Sequence, residues 1–152
     1  MALRFRNLNV SPSDPVEQWP VEAVHPAMDR GSVRDWKRLI TAIDRDPWGK
    51  TARQVEHVLT YDRPYGVGNL MERVIRSARS AAADTEREAV ASTIKQAIAD
   101  SGLTRSEFAS RIGTSVSRLS TYANGKVAPS ATLMVRIERV AHEAARKTEP
   151  SA

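Results

Sequence analysis

The most restrictive feature of the sequence is a pair of short helical segments joined by a glycine, within Leu103–Pro129. Thr104 followed by Glu107 fits a capping box, in which each side chain accepts a hydrogen bond from the other residue's backbone N–H. A helix is therefore predicted to start at Arg105. Gly113 is predicted to end it, because glycine readily adopts the left-handed conformation that often follows a helix.

A second short helix follows at once, capped by Thr114 or Ser115. Some of its residues can face inward, and the polar ones left outside are Ser117, Arg118, Ser120 and Thr121. Asn124 with Gly125 is a strong turn signal. Pro129 and Ser130 then start a last helix with an apolar stripe formed by Leu133, Met134, Ile137, Val140 and Ala144.

Two short helices joined through a glycine turn, with longer amphipathic helices on either side, form the helix-turn-helix arrangement. The second helix can enter the major groove of DNA, which is about 12 Å wide. There, hydroxyl groups can hydrogen-bond to bases and an apolar group can contact a thymine methyl. Any one of these signals alone would favour an ordinary corner of a helical bundle, but together they favour DNA binding.

Positive charge is concentrated in the same stretch. Residues 103–126 carry four basic residues against the single acid Glu107, a net charge of +3; the basic residues are Arg105, Arg111, Arg118 and Lys126. The whole chain has a net charge of +5, which by itself identifies no partner. Contacts to phosphate supply most of the sequence-independent affinity for DNA, so the placement of the charge matters more than its total.

Five short signals in this order resemble the Cro/phage-repressor (Xre-type) helix-turn-helix family over residues 88–145. They are Leu-Thr-x-x-Glu-Phe-Ala, Ile-Gly-Thr-Ser, Leu-Ser-x-Tyr, Asn-Gly-Lys and Pro-Ser. The resemblance implies double-stranded DNA as the partner and no cofactor. It implies base contacts from Ser115, Val116, Ser117, Arg118 and Thr121. It implies phosphate contacts from Thr104, Arg105, Asn124 and Lys126.

One position departs from the family pattern. Many members carry an arginine on the preceding helix that pairs with the motif glutamate, and the aligned residue here is Ile98. We therefore expect Glu107 to cap its helix rather than to form half of a buried ion pair. The departure bears on stability and not on the DNA assignment.

The first half of the chain shows helical periodicity without a recognised motif. Strand-like alternation is confined to four residues near the start, Leu3, Phe5, Leu8 and Val10. A helix is predicted from Pro20 to Arg30, with a break or kink at Pro26. Two more helices are predicted, one over Val33–Asp46 capped by Ser32 and one over Ala52–Leu59 capped by Thr51. Trp19, Trp36 and Trp48 are expected to lie in the core.

The composition shifts at residues 79–89, which are small or charged and include no large apolar side chain. We therefore predict an all-α chain with an N-terminal helical domain at 1–84. A repressor-like, five-helix helix-turn-helix domain is predicted at 85–147 and a disordered tail at 148–152. Thr85 with Glu88 fits a capping box, so a new helix can start there. A single long helix bridging the two halves is the alternative.

Several functional classes find no support in the sequence. Without cysteine there are no disulfides, thiol catalysis or thiolate metal sites. His25, His57 and His142 are scattered, so we predict no metal site and no catalytic residue. No apolar run approaches the roughly 18 residues of a membrane span, and the N-terminus lacks a signal-peptide pattern. We expect a cytoplasmic, nucleoid-associated protein encoded by a bacterium or phage.

The function predicted from these observations is sequence-specific regulation of transcription, as a repressor acting as a homodimer, because operators of this family are usually paired half-sites. Residues 1–84 carry 13 basic and 11 acidic residues, which favours dimerisation or partner binding over a second DNA contact. The alternative is an antitoxin-like regulator whose N-terminal half binds a protein partner while its C-terminal half binds operator DNA. An enzyme with an N-terminal active site is a third class.

Overall fold

The computed structural model of the chain describes residues 2–148, and every regular element in that range is helical. Seven α-helices and one short 3-10 helix occur there, and no strand, so the predicted all-α fold is confirmed. The chain divides into two compact units, unit 1 (Met1–Ala82) and unit 2 (Ala83–Ala152). The sequence predicted a boundary after residue 84.

Unit 1 begins with an extended segment whose alternating apolar side chains do not form a strand. These side chains pack instead against the helical core of unit 1. The four residues are Leu3, Phe5, Leu8 and Val10. A 3-10 helix at Val16–Gln18 leads into helices α1 (Val21–Arg30), α2 (Val33–Arg45) and α3 (Lys50–Leu59). Trp19 lies fully buried in this core.

Helix α1 continues through Pro26 to its end at Arg30, so the prediction of two separate pieces is wrong. Proline removes its own N–H donor from the helix ladder, and its ring crowds the carbonyl four residues earlier. On either side of Pro26 the helix buries Ala23, Val24, Ala27 and Met28. Packing of these four residues favours one continuous helix over a break.

The caps and tryptophans of unit 1 follow the predictions only in part. Ser32 is the N-cap of α2 as expected, and its backbone N–H donates to the Asp35 carboxylate at 2.9 Å. Thr51 is not a cap, because α3 starts at Lys50, two residues earlier than predicted, with Gly49 as its N-cap. Trp48 is also misassigned: it is 57% exposed, with the Arg79 guanidinium 4.5 Å from the centre of its ring.

Helix α4 runs without interruption over Val67–Ser101. This is the single long helix bridging the two halves that was the alternative to a new helix at Thr85. No helix starts at Thr85, because the alanine-rich stretch before it favours helix as strongly as the residues after it. The first part of α4 contributes Met71 and Ile75 to the core of unit 1. The last part contributes Ile94, Ala97 and Ile98 to the core of unit 2.

Unit 2 is completed by α5 (Arg105–Ile112), α6 (Val116–Ala123) and α7 (Ala131–Thr148). With the end of α4 this makes four helical segments in its described part, not the five predicted. The count of five is wrong because the caps and apolar stripes of this region account for four helices, and residues 131–148 form the single last helix that its stripe predicts. The predicted tail, 148–152, lies outside the described residues except for Thr148, which ends α7.

Replacing Leu39 of α2 with alanine is expected to destabilise unit 1 by about 2–5 kcal/mol, because the fully buried side chain would leave a cavity. Urea unfolding followed by tryptophan fluorescence measures this, since all three tryptophans lie in unit 1. The control is Tyr65→Ala. Tyr65 is fully exposed, so this change should shift the free energy of unfolding by no more than about 0.5 kcal/mol. Equal effects of the two changes would contradict the core assignment.

Candidate nucleic-acid interface

The start of α5 is held by a reciprocal pair of hydrogen bonds. The Glu107 backbone N–H donates to Thr104 Oγ1 at 3.2 Å, and the Thr104 backbone N–H donates to Glu107 Oε2 at 3.0 Å. Both side chains are exposed, whereas Ile98 is buried in the core of unit 2. The expectation that Glu107 acts as a cap and not as half of a buried ion pair is therefore confirmed.

The turn between α5 and α6 depends on Gly113, whose φ of +77° lies in the left-handed region. The Thr114 backbone N–H reaches back to the carbonyl of Ala109 at 2.9 Å, which satisfies one of the last carbonyls of α5. Of the two possible caps for α6, the structure uses Ser115, whose Oγ accepts from the Arg118 backbone N–H at 3.1 Å. These bonds set the angle at which α6 leaves the turn.

Helix α6 has a buried side and an exposed side. Leu119 and Ala123 are fully buried, in the same core as Phe108 and Ile112 of α5. Of the five residues predicted to contact bases, four are exposed, namely Ser115, Val116, Ser117 and Arg118, and Thr121 is half-buried. All five therefore lie at the N-terminus or on the outer side of one helix.

The outer side of α6 offers a mixed set of chemical groups. Thr121 Oγ1 donates to the Ser117 carbonyl at 3.0 Å, so the hydroxyl hydrogen is used within the helix while the oxygen can still accept. The side chains of Ser117 and Arg118 make no hydrogen bond within the described part of the chain. Val116 adds two methyl groups and is 44% exposed. This helix thus presents a hydroxyl, a guanidinium and an apolar group together.

Two contacts that sequence reasoning missed hold α5 in place. Arg105 Nη1 lies 3.4 Å from Ser120 Oγ, which brings the predicted phosphate-binding arginine beside α6. Arg136 of α7 donates to the carbonyl of Ile112 at 3.4 Å, at the C-terminal end of α5, where a cation interacts favourably with the helix dipole. These pairs are 15 and 24 residues apart, so no local pattern could have identified them.

The turn after α6 contains the other two predicted phosphate contacts, Asn124 and Lys126, and both are exposed. Gly125 has a φ of +72°, and a Cβ atom at this position would lie 3.6 Å from Ala91 Cβ of α4. The Lys126 backbone N–H donates to the Thr121 carbonyl at 3.2 Å. The backbone of the turn is therefore fixed against α4 and α6 while the lysine side chain extends from it.

The basic side chains of this region are not paired with acidic side chains among the described residues. Arg105, Arg111, Arg118 and Lys126 are all exposed, and none of them forms an ion pair within residues 2–148. The nearby acid, Glu107, is engaged with the backbone of Thr104. Unpaired cations near exposed hydroxyls suit an anionic partner that carries hydrogen-bonding groups.

Other kinds of site find no counterpart in the described residues. No group of three histidine or acidic side chains in residues 2–148 could hold a metal ion. Within the same range, every helix is too short or too polar to cross a membrane.

Comparison with known proteins gave one match. A family model for the helix-turn-helix matches residues 94–141, which run from the last part of α4 into α7. The match covers less than half of the chain and includes all nine residues predicted to contact DNA. No curated protein and no solved structure matched the chain.

Removing the cap hydroxyl by Thr104→Ala should destabilise unit 2 by about 1 kcal/mol, because the backbone N–H of Glu107 loses its acceptor. The change is measured as the free energy of urea unfolding, followed by circular dichroism. Thr104→Ser is the matched control, since it keeps the oxygen and should retain most of the stability. An alanine variant as stable as the serine variant would show that the capping box contributes nothing.

Proposed function

We propose that residues 94–141, which match a family model for the helix-turn-helix, form a DNA-binding domain of the Cro/phage-repressor (Xre-type) family, and that the protein represses transcription as a sequence-specific homodimer. The observation that carries the proposal is the division of α6. Its inner side is anchored by Leu119 and Ala123, and its outer side stays polar beside unpaired cations.

In this proposal α6 lies in the major groove and its outer side reads the bases. Arg118 can donate two hydrogen bonds to guanine, and Ser117 can donate or accept. Thr121 acts as an acceptor because its hydrogen is directed to the Ser117 carbonyl. The methyl groups of Val116 suit the thymine methyl. Ser115, which caps α6, completes the set of base contacts.

Phosphates on either side of the groove are contacted by the residues that flank α6. Thr104 and Arg105 lie at the start of α5, and the 3.4 Å contact to Ser120 keeps Arg105 close to the helix that enters the groove. Asn124 and Lys126 lie on the turn at the other end of α6. Contacts of this kind fix the register of the protein on DNA but carry no sequence information.

The homodimer and the repressor role rest on general arguments. A single α6 reads only a few base pairs, and paired half-sites about 34–36 Å apart require two copies of the helix. Repression needs only occupancy of a promoter, whereas activation needs a further contact with the transcription machinery. We assign the protein no cofactor and no catalytic residue, and we place it in the cytoplasm in association with the nucleoid, encoded by a bacterium or a phage.

A second candidate is an antitoxin-like regulator in which unit 1 binds a protein partner. It is favoured by the separate hydrophobic core of unit 1, which lies wholly outside the helix-turn-helix match. Purification from the native host discriminates the two. A stoichiometric second protein supports the antitoxin-like candidate, and a homodimer without a second protein supports the simple repressor.

The experiment that tests the proposed function is selection of binding sites from a random pool of double-stranded DNA, with the full chain. We expect one enriched sequence made of two inverted half-sites, whose centres lie about one helical turn apart. A pool with no enriched sequence would overturn the claim of sequence-specific binding. Enrichment of a single, unpaired half-site would overturn the homodimer and leave the DNA-binding function standing.

Ser117→Ala and Thr121→Ala are expected to weaken binding to the selected operator by about 1–3 kcal/mol while leaving affinity for random DNA nearly unchanged. Ser110→Ala is the matched control, because Ser110 is an exposed hydroxyl on α5, outside the proposed base contacts. Equal losses on operator and random DNA would refute base reading by α6. Fluorescence anisotropy at fixed salt measures both affinities.

Lys126→Ala and Arg105→Ala are each expected to weaken binding to every sequence and to reduce the salt dependence of binding by about one unit of slope, as expected for one lost phosphate contact. The measurement is the affinity for operator and for random duplex over a range of salt concentrations. Arg73→Ala is the control, since Arg73 is an exposed cation of unit 1. An unchanged slope for both test variants would exclude these side chains from the phosphate contacts.

A further inference from the structure

Unit 1 contains a groove of about 560 Å³ between the 3-10 helix and α2. We propose that this groove docks an acidic segment of a partner protein, one that also carries an apolar anchor residue. The inference rests on unit 1 alone, so it stands or falls separately from the DNA-binding function of unit 2.

The walls of the groove are strongly cationic. Arg34, Lys37, Arg38 and Arg45 line it, and all four come from α2, whereas the acidic side chain in its lining is Glu17 of the 3-10 helix. Residues three, four and eleven positions apart lie on the same side of a helix, which explains why these four residues gather along one groove. Unit 1 carries 13 basic and 10 acidic residues, and four of the basic residues line this one groove.

Three of the four cations are available to a ligand. Arg34 and Lys37 are exposed, and their side chains make no hydrogen bond or ion pair with other described residues. Arg45 lies 3.4 Å from the Glu17 carboxylate, but the two side chains are 72% and 51% exposed, and such surface pairs contribute little and exchange readily.

Arg38 has a different role, because its guanidinium is already engaged. It donates to the backbone carbonyls of Pro12 and Asp14 and lies 4.9 Å from the centre of the Trp19 ring. These contacts tie the segment before the 3-10 helix to α2 and so keep one wall of the groove in place. Asp35, the nearest acid along α2, is occupied as a cap by the Ser32 backbone N–H.

The floor of the groove favours a protein segment over nucleic acid. Val16 and Ala42 are buried at its base, and Val33 is 57% exposed at its edge. An apolar centre with a charged rim is the usual anatomy of a protein interface, and arginine clusters recognise acidic peptide motifs. A DNA backbone would meet the cations but would offer no apolar group to Val33. The groove therefore fits a segment that combines carboxylates with an aliphatic or aromatic residue.

The test uses the full chain and a fluorescein-labelled synthetic peptide that repeats Glu and Leu at helical spacing, with a Gln–Leu peptide as the uncharged control. We expect saturable binding of the Glu–Leu peptide in fluorescence anisotropy and binding of the Gln–Leu peptide that is weaker by about tenfold or more. Equal binding of the two peptides, or no saturable binding of either, would overturn the proposal.

Variants then locate the site. Arg34→Glu combined with Lys37→Glu should weaken binding of the Glu–Leu peptide by about tenfold, and Val33→Ser should weaken it to a smaller degree. Arg73→Glu, an exposed cation on α4 of unit 1, is the matched control and should leave binding unchanged. Tryptophan fluorescence of each variant checks that unit 1 remains folded.

Two outcomes of this series would overturn the proposal. One is that the double variant of α2 binds the Glu–Leu peptide as well as the native chain does. The other is that this variant loses affinity for a random DNA duplex and keeps its affinity for the peptide, which would make the groove a nucleic-acid contact. Neither outcome bears on the DNA-binding function of α6, which the selection of binding sites tests separately.

Discussion

The packing of α6 against α5 is the interaction on which the candidate DNA interface depends. Leu119 and Ala123 are fully buried in the same core as Phe108 and Ile112, and the left-handed turn at Gly113 lets the chain reverse between the two helices. Because the inner side of α6 is packed in this way, the same residues of the helix always face outward. The hydroxyls and the guanidinium of that side are therefore presented together, which is what reading of base edges requires.

Around this packed pair, polar contacts do the finer positioning. The capping box of Thr104 and Glu107 removes the one nearby carboxylate from competition with DNA, because Glu107 accepts from a backbone N–H of its own helix. Arg105 is held beside α6 through Ser120, and Arg136 satisfies a carbonyl at the end of α5. Arg105 and Arg118 thus lie next to the proposed base contacts and form no ion pair within the described residues.

Unit 1 uses its charges in another way. Most of its interior is apolar, and several of its arginines are committed to structure: Arg79 pairs with Glu56 and lies against the ring of Trp48, and Arg38 ties the N-terminal segment to α2. Arg34 and Lys37 are used differently, since their side chains line the groove along α2 and have no partner among the described residues.

Caps, turns and helices that depend on neighbouring residues could be predicted from the sequence alone. The cap at Thr104, the end of α5 at Gly113, the turn at Asn124 and Gly125, and the all-α fold all follow from residues within one or two turns of each other. Contacts between distant residues depend on the tertiary fold: the contacts of Arg105 and Arg136, the continuity of α1 through Pro26, and the groove along α2. The physical reason is that caps and glycine turns are governed by backbone hydrogen bonds a few residues apart. Packing and long-range side-chain contacts instead depend on which surfaces meet after the helices have formed.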